Sequence, residues 1–223
     1  MKKSLIRVYK KLYAHFGPQH WWPAHAPFEV MVGAILTQNT NWQNVEKAIN
    51  NLKKNRLLKA QEIHRLPNKR LAAFIRPAGY YNIKAKRLKE FVKYFFESYQ
   101  ANIKKMRLVD SHALRTQLLS VNGIGPETAD SILLYALGVP IFVVDAYTKR
   151  IFSRHGFIKE DAEYTQVQNL FMQNLKKEVK LFNEFHALLV RLGKDFCLKN
   201  NPRCPSCPLN NITNSNKKGK YYA

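Results

Sequence analysis

Apolar side chains recur three and four residues apart over most of this chain, and no stretch alternates apolar with polar as a half-buried strand would. Val45, Ala48, Ile49 and Leu52 stand at i, i+3, i+4 and i+7. The same rhythm returns in Ala85, Leu88, Phe91, Val92, Phe95 and Phe96 and in Ala129, Ile132, Leu133, Ala136 and Leu137. That spacing lines one face of an α-helix, so the expected fold class is all-α. Glycine and proline agree: together they are 19 of 223 residues, below the ~12% of an average chain. Helices are also expected at Phe28 to Leu36, around Leu114, Leu118 and Val121, and at Ala146 to His155, Tyr164 to Leu175 and Phe182 to Leu192. Arg76-Pro77-Ala78-Gly79 stops the run that continues around Pro67. In the helix after Tyr81, Lys84, Lys86, Arg87, Lys89 and Lys93 occupy the faces left by the apolar stripe, which predicts a basic outside.

Charge narrows the partner. Lys and Arg number 37 against 15 Asp and Glu, a formal net charge of +22, which points to a polyanion held by phosphate neutralisation. A solvated basic surface is the plainer reading of the same charge. A disordered basic tail is excluded, because 46% of the residues are hydrophobic, enough to offset chain entropy with a core. The first 13 residues offer no signal-peptide segment, and the longest uncharged apolar run, Val30 to Leu36, is too short to span a bilayer. The expectation is a soluble, cytoplasmic monomer with no membrane partner and a frayed polar tail over residues 211–223.

One stretch carries most of the chemistry. Between two predicted helices, Asn122-Gly123-Ile124-Gly125 turns tightly without a bulky side chain, and Pro126 opens the next helix. Such a turn aims backbone amides and a helix N-terminus outward, as a phosphate site does. Twenty residues beyond Gly125, Val143-Val144-Asp145 places a carboxylate at the end of an apolar run, where it also suits the N-cap of the following helix.

Leu119 to Asp145 resembles the helix-hairpin-helix plus Gly-Pro-Asp signature of the endonuclease III superfamily of DNA glycosylases. The likeness extends through Phe28 to Thr40, through Gly79-Tyr80-Tyr81-Asn82-Ile83-Lys84-Ala85 and into the C-terminal cysteines. It implies two helical lobes with a cleft between them: residues 28–139, with the hairpin at about 111–137, and residues 1–27 plus 140–210. It implies a partner, damaged double-stranded DNA, from which one nucleotide is extruded for cleavage of its N-glycosidic bond. Asp145 would stabilise the oxocarbenium-like sugar or deprotonate the attacking water. Asn122, Gly123, Ile124 and Gly125 would contact DNA, Gln38 would fill the gap in the duplex, and Tyr80 would wedge the opposite side. Read locally, the alternatives are a helix-capping amide for Gln38 and a core ring beside Gly79 for Tyr80.

Two positions depart from the superfamily pattern. Members with strand-nicking lyase activity carry a lysine in the hairpin's second helix where this chain has Glu127, and a carboxylate forms no Schiff base. The expectation is a monofunctional glycosylase, with Glu127 either contacting the extruded base or serving as a favourable charge in a first helical turn. Cys197, Cys204 and Cys207 have the spacing of the superfamily's [4Fe-4S] loop, residues 197–213, but the fourth ligand position is Thr213, a poor iron ligand. Zinc on three cysteines and a histidine is the weaker alternative, since no histidine follows Cys207 and His186 lies well upstream.

Trp21-Trp22-Pro23, Phe28-Glu29, Thr37 to Thr40 and Tyr81-Asn82 look most like the 3-methyladenine glycosylase III branch, which also carries a glutamate at the place of Glu127. That likeness implies a base pocket of Trp21, Trp22 and Trp42 with Lys194 beside it, suited to a positively charged alkylpurine. The alternatives are an endonuclease III-like glycosylase and lyase for oxidised pyrimidines, and a DNA-binding module without catalysis.

Overall fold

The computed structural model describes residues 1–21 and 26–212, and these contain helices and turns but no strand, as the apolar spacing predicts. They form two compact units, residues 26–139 and residues 1–21 together with 140–212. The first helix, α1 (Lys2–Phe16), belongs to the second of these units and buries Leu5, Val8 and Leu12. Its five basic residues before Tyr13 hide that stripe from a reading by charge.

Residues 26–139 pack around α2 (Pro27–Leu36), in which every residue from Val30 to Leu36 is buried. The run too short for a bilayer is a core helix. Its one acid, Glu29, is buried and meets Lys53 at 2.6 Å, on α3 (Trp42–Lys54). Asn41 caps α3, its side chain accepting from the Asn44 amide at 3.0 Å. Two short helices, α4 (Ala60–Arg65) and α5 (Asn68–Phe74), and a single 3-10 turn, Arg76–Ala78, lead to α6 (Tyr81–Tyr99).

Here the predicted basic outside needs correction. Lys84 is 1% exposed: at four, seven and eleven residues before Leu88, Phe91 and Phe95, it lies in register with the apolar stripe. Arg87 and Lys89 are half-buried, and Lys89 Nζ donates to the carbonyls of Ile63, His64 and Leu66, closing the end of α4. Lys86 and Lys93 remain exposed as predicted. Beyond α7 (Ile103–Arg107) come α8 (Ser111–Ser120) and α9 (Pro126–Ser131), the two arms of the hairpin. Arg115 on α8 grips Asp130 on α9 in a fork, Nε to Oδ1 at 2.6 Å and Nη2 to Oδ2 at 3.1 Å. The carboxylate is fully buried, so its two-point pairing fixes the angle between the arms. After α9 the backbone widens into a π-helical turn, Ile132–Leu137, packed on α2.

In the other unit, α10 (Ala146–Arg154), α11 (Tyr164–Met172) and α12 (Val179–Asp195) surround an aromatic core. Phe142 stacks on Phe171 with centroids 3.7 Å apart, and Phe182 and Phe185 meet Phe142 edge-on. Each ring is essentially unexposed and contributes ~1.5–3 kcal/mol by burial. α10 lies along α12 because Gly193 leaves room for Tyr147: a Cβ there would stand 2.3 Å from the ring. No described helix is long and apolar enough to cross a membrane.

Candidate functional site

In the unit of residues 26–139 the hairpin turn is held by its own backbone. The Ile124 amide donates to Val121 O at 3.0 Å and the Ala129 amide to Gly125 O at 2.9 Å. Ile124 is 5% exposed, so its side chain anchors the turn and its amide is committed inside it. Asn122, Gly125 and Glu127 are exposed. The two glycines differ: Gly123 has φ +86° and Gly125 −90°, so only Gly123 needs the left-handed region.

Gln38 does not cap a helix. Its Nε2 donates to Gly123 O at 2.9 Å and to Thr128 Oγ1 at 3.0 Å, and its Oε1 accepts from Arg87 Nη1. The turn between α2 and α3 is thereby docked on the hairpin. Tyr80 is not a core ring: it is 70% exposed and has φ +46°, an uncommon conformation for an aromatic residue that is worth weighing as a sign of function.

Lys84 ties the Gln38 and Tyr80 turns together. Its ammonium donates to Leu36 O at 2.8 Å and Ala78 O at 2.7 Å, two residues before Gln38 and two before Tyr80. Burial, with the Arg87 charge added, lowers its pKa to about 8.

In the unit that holds α10, Asp145 is the N-cap of that helix: Oδ1 accepts from the Thr148 amide at 2.7 Å. Its Oδ2 lies 3.5 Å from His186 Nε2, and the two side chains are 11% and 7% exposed. Burial pushes the carboxyl upward, but the His186 charge and hydrogen bond and the Thr148 bond more than offset it, and the net shift is downward. The result is a buried group that stays an anion. From the sequence His186 stands out only as a distant candidate beside the cysteines. Its register with Phe182, Phe185 and Leu189 was the signal for a buried histidine facing the core.

Trp21 is half-buried, and the Lys194 ammonium stands 6.0 Å from its ring centroid. Trp42 is half-buried at the first position of α3. Trp22 lies outside the described residues.

Cys197, Cys204 and Cys207 line one cavity of about 190 Å³ with Arg154, His155, Phe196 and Pro202. Arg154 reaches Cys197 Sγ at 3.4 Å and the carbonyls of Leu198 and Lys199. Burial raises the Cys207 thiol, as do the neighbouring Cys197 and Cys204. The histidine at this cavity is His155, not His186. Its Nδ1 is paired with Ile212 O at 2.5 Å, and burial depresses its pKa. Among the described residues no group of three His, Cys, Asp or Glu side chains is placed to hold a metal ion. Thr213 lies outside the described residues. With three cysteines in the whole chain, the donor set falls one thiolate short of a four-cysteine cluster.

Residues 32–177 match the HhH-GPD superfamily of base excision DNA repair proteins. A protein of Methanocaldococcus jannaschii, named as a DNA repair glycosylase, is 51% identical over 209 residues, covering 93% of this chain and 94% of its own length. The crystal structure of the Helicobacter pylori 3-methyladenine DNA glycosylase bound to 1,N6-ethenoadenine superposes with a TM-score of 0.74 at 29% identity, covering 85% of this chain and 97% of that one. A non-covalent complex of endonuclease III with DNA gives a TM-score of 0.82 at 23% identity, covering 96% and 95%, and shows a shared fold.

Proposed function

The chain belongs to the HhH-GPD superfamily of base excision DNA repair proteins, and on that premise we propose that it is a monofunctional DNA glycosylase releasing alkylated purines such as 3-methyladenine from duplex DNA. The observation that carries this reading is a carboxylate, Asp145, with its side chain only 11% exposed, held ionised at a helix N-terminus, in a chain with Glu127 at the hairpin position of the lyase lysine. In the reaction the bond from C1′ to the purine nitrogen breaks and its electron pair leaves with the base. A purine already made cationic by alkylation departs neutral, so no general acid is required. Positive charge develops on the sugar, where the Asp145 anion stabilises it. Water then adds its oxygen to C1′ and gives up a proton, leaving an abasic site.

Lyase chemistry needs an amine of lowered pKa that can reach the sugar. Burial lowers the pKa of both Lys84 and Lys89, but Lys84 is 1% exposed with its ammonium committed to the Leu36 and Ala78 carbonyls, and Lys89 Nζ donates to the carbonyls of Ile63, His64 and Leu66. Glu127 is exposed in the first turn of α9. On the non-catalytic reading Asp145 would be only a helix cap paired with His186. No step runs through the cysteine cavity, whose three thiols do not complete a four-thiolate cluster.

The test is incubation with duplexes carrying 3-methyladenine or an oxidised pyrimidine, each assayed with and without alkaline cleavage. Free 3-methyladenine, with strand breaks only after alkali, is expected. Breaks without alkali, or covalent trapping on DNA by borohydride, would overturn the monofunctional reading. A preference for the oxidised pyrimidine would overturn the substrate class.

A further inference from the structure

Every polar atom of the Gln38 side chain is committed to a part of the molecule remote in sequence. An amide has two N–H donors and one carbonyl acceptor. Here the donors go to Gly123 O and Thr128 Oγ1 on the hairpin, and the acceptor takes Arg87 Nη1 from α6. Arg87 makes a second contact with the same turn. A Cβ built on Gly123 would stand 2.3 Å from Arg87 Cγ and 2.7 Å from Cδ, so the arginine stem occupies the space that this glycine leaves. One side chain thus packs on the hairpin turn through its methylenes and holds Gln38 through its guanidinium.

We propose that Arg87 is a positioning residue that docks Gln38 against the hairpin, so that the element gripping the phosphate backbone and the side chain filling the duplex act in one fixed register. This rests on the reading of Gln38 as the duplex-filling residue. A free glutamine side chain must lose its rotamer freedom when it enters a duplex. Docking in advance removes that loss from the binding step. Gln38 gains nothing from Arg87 on undamaged DNA, where no gap is filled, so the effect of Arg87 belongs to damaged duplex alone.

The experiment uses the full chain and two duplexes of one sequence, one intact and one with a tetrahydrofuran abasic analogue beside 2-aminopurine. Binding is followed by anisotropy at several salt concentrations, and unstacking at the gap by 2-aminopurine fluorescence. Arg87→Met, which removes the guanidinium, should cut the preference for the gapped duplex about tenfold, equal to ~1.4 kcal/mol, and leave binding to the intact duplex unchanged. In a Gln38→Ala background the same substitution should have no further effect. If the losses simply add, or if Arg87→Met weakens both duplexes equally and reduces the salt slope by about one phosphate contact, Arg87 is a phosphate ligand and the proposal fails. If Gln38→Ala itself leaves the preference intact, the duplex-filling reading fails instead. Should Arg87→Met melt below the assay temperature, Arg87→Leu, which keeps Cγ and Cδ carbons over Gly123 and has no donor for Gln38, carries the same comparison.

Discussion

Asp145 and Gln38 are held in opposite ways. Asp145 is an anion sunk at a helix N-terminus against a buried histidine, and the surrounding core fixes both its position and its charge. Gln38 is a neutral, half-buried amide in a turn, held by three hydrogen bonds from two other segments. A group that must meet developing charge without reorganising belongs in the first setting. One that must be presented to a duplex in a set register belongs in the second, where hydrogen bonds to neighbouring segments hold the side chain without fully burying it. Substitutions at Asp145 should therefore act on chemistry in one large step, and those around Gln38 in graded steps on binding and stability.

The largest effect should come from Asp145→Asn. Asparagine caps a helix about as well as aspartate, so the fold should persist while base release falls by ~10²- to 10³-fold. Single-turnover base release beside a mobility-shift titration reads both quantities. Turnover near normal would place the reacting charge elsewhere and erase the contrast with Gln38. The sign of the pH dependence follows from the lowered pKa of Asp145. Its contribution to stability is present above the unfolded value, ~3.9, and is lost as pH falls through the folded value. Any loss of activity between pH 5 and 7 belongs to another group.

Next comes Lys84, which fixes the Gln38 turn from behind. Lys84→Met leaves the Leu36 and Ala78 carbonyls without their donor, at ~1–3 kcal/mol for each buried group, and urea denaturation should show it. Because the folded pKa is about 8 against an ordinary 10.5, the unfolded chain holds this proton more tightly. Wild-type stability from this group therefore rises with pH between those values. The gap between wild type and Lys84→Met should widen from pH 8 toward 10.5. A gap that narrows would mean that the charged amine is favoured in its buried setting.

The two hairpin glycines should separate folding from binding. Gly123→Ala meets both a left-handed backbone and the Arg87 stem, and should destabilise by at least the ~1–2 kcal/mol of the conformation alone. Gly125→Ala meets no heavy atom within 4 Å at an ordinary φ and should leave the melting temperature unchanged. A bulky Gly125→Leu should weaken binding to damaged and undamaged duplex alike, since phosphate contacts read no sequence. A loss confined to one lesion would remove the hairpin from backbone recognition.

What was legible in the sequence divides along the same line. The helices that frame the Gln38 turn, the hairpin arms and α10 could be read because their apolar positions repeat at helical spacing. Asp145 and the hairpin glycines could be read because chain geometry itself needs a cap or a bare turn there. Lys84, Arg87 and His186 were missed for a different reason. Leu36, Gln38 and Asp145, which they meet, lie 48, 49 and 41 residues away, and a one-dimensional pattern carries no record of such pairings. Lys84 and His186 still left a trace, a polar residue in register with an apolar stripe. Arg87 left none, because a half-buried arginine on a basic helix looks like any solvated one. The short α1 stripe was lost beneath its lysines, and the Arg115–Asp130 fork, fifteen residues apart across the hairpin turn, reads in sequence as two ordinary surface charges.

The smallest expected effect tests the substrate class where an indole meets a charge. The Lys194 ammonium stands 6.0 Å from the Trp21 ring centroid, within reach of a cation–π attraction worth ~0.5–1 kcal/mol at an exposed site. If Trp21 receives an extruded alkylpurine, that base brings a second positive charge to the same ring, and the two cations repel. Lys194→Met should then improve the binding of a duplex containing a cationic purine by about two- to fivefold, the range set by that energy, and leave a duplex with a neutral lesion unchanged. Equal improvement on both would mean that Lys194 blocks the ring sterically. Weaker binding of both would show that the lysine itself contacts DNA and that Trp21 is merely a packing surface. Only the charge-selective gain supports a pocket built for a cationic base, because the indole face distinguishes the two lesions by their charge and by nothing else.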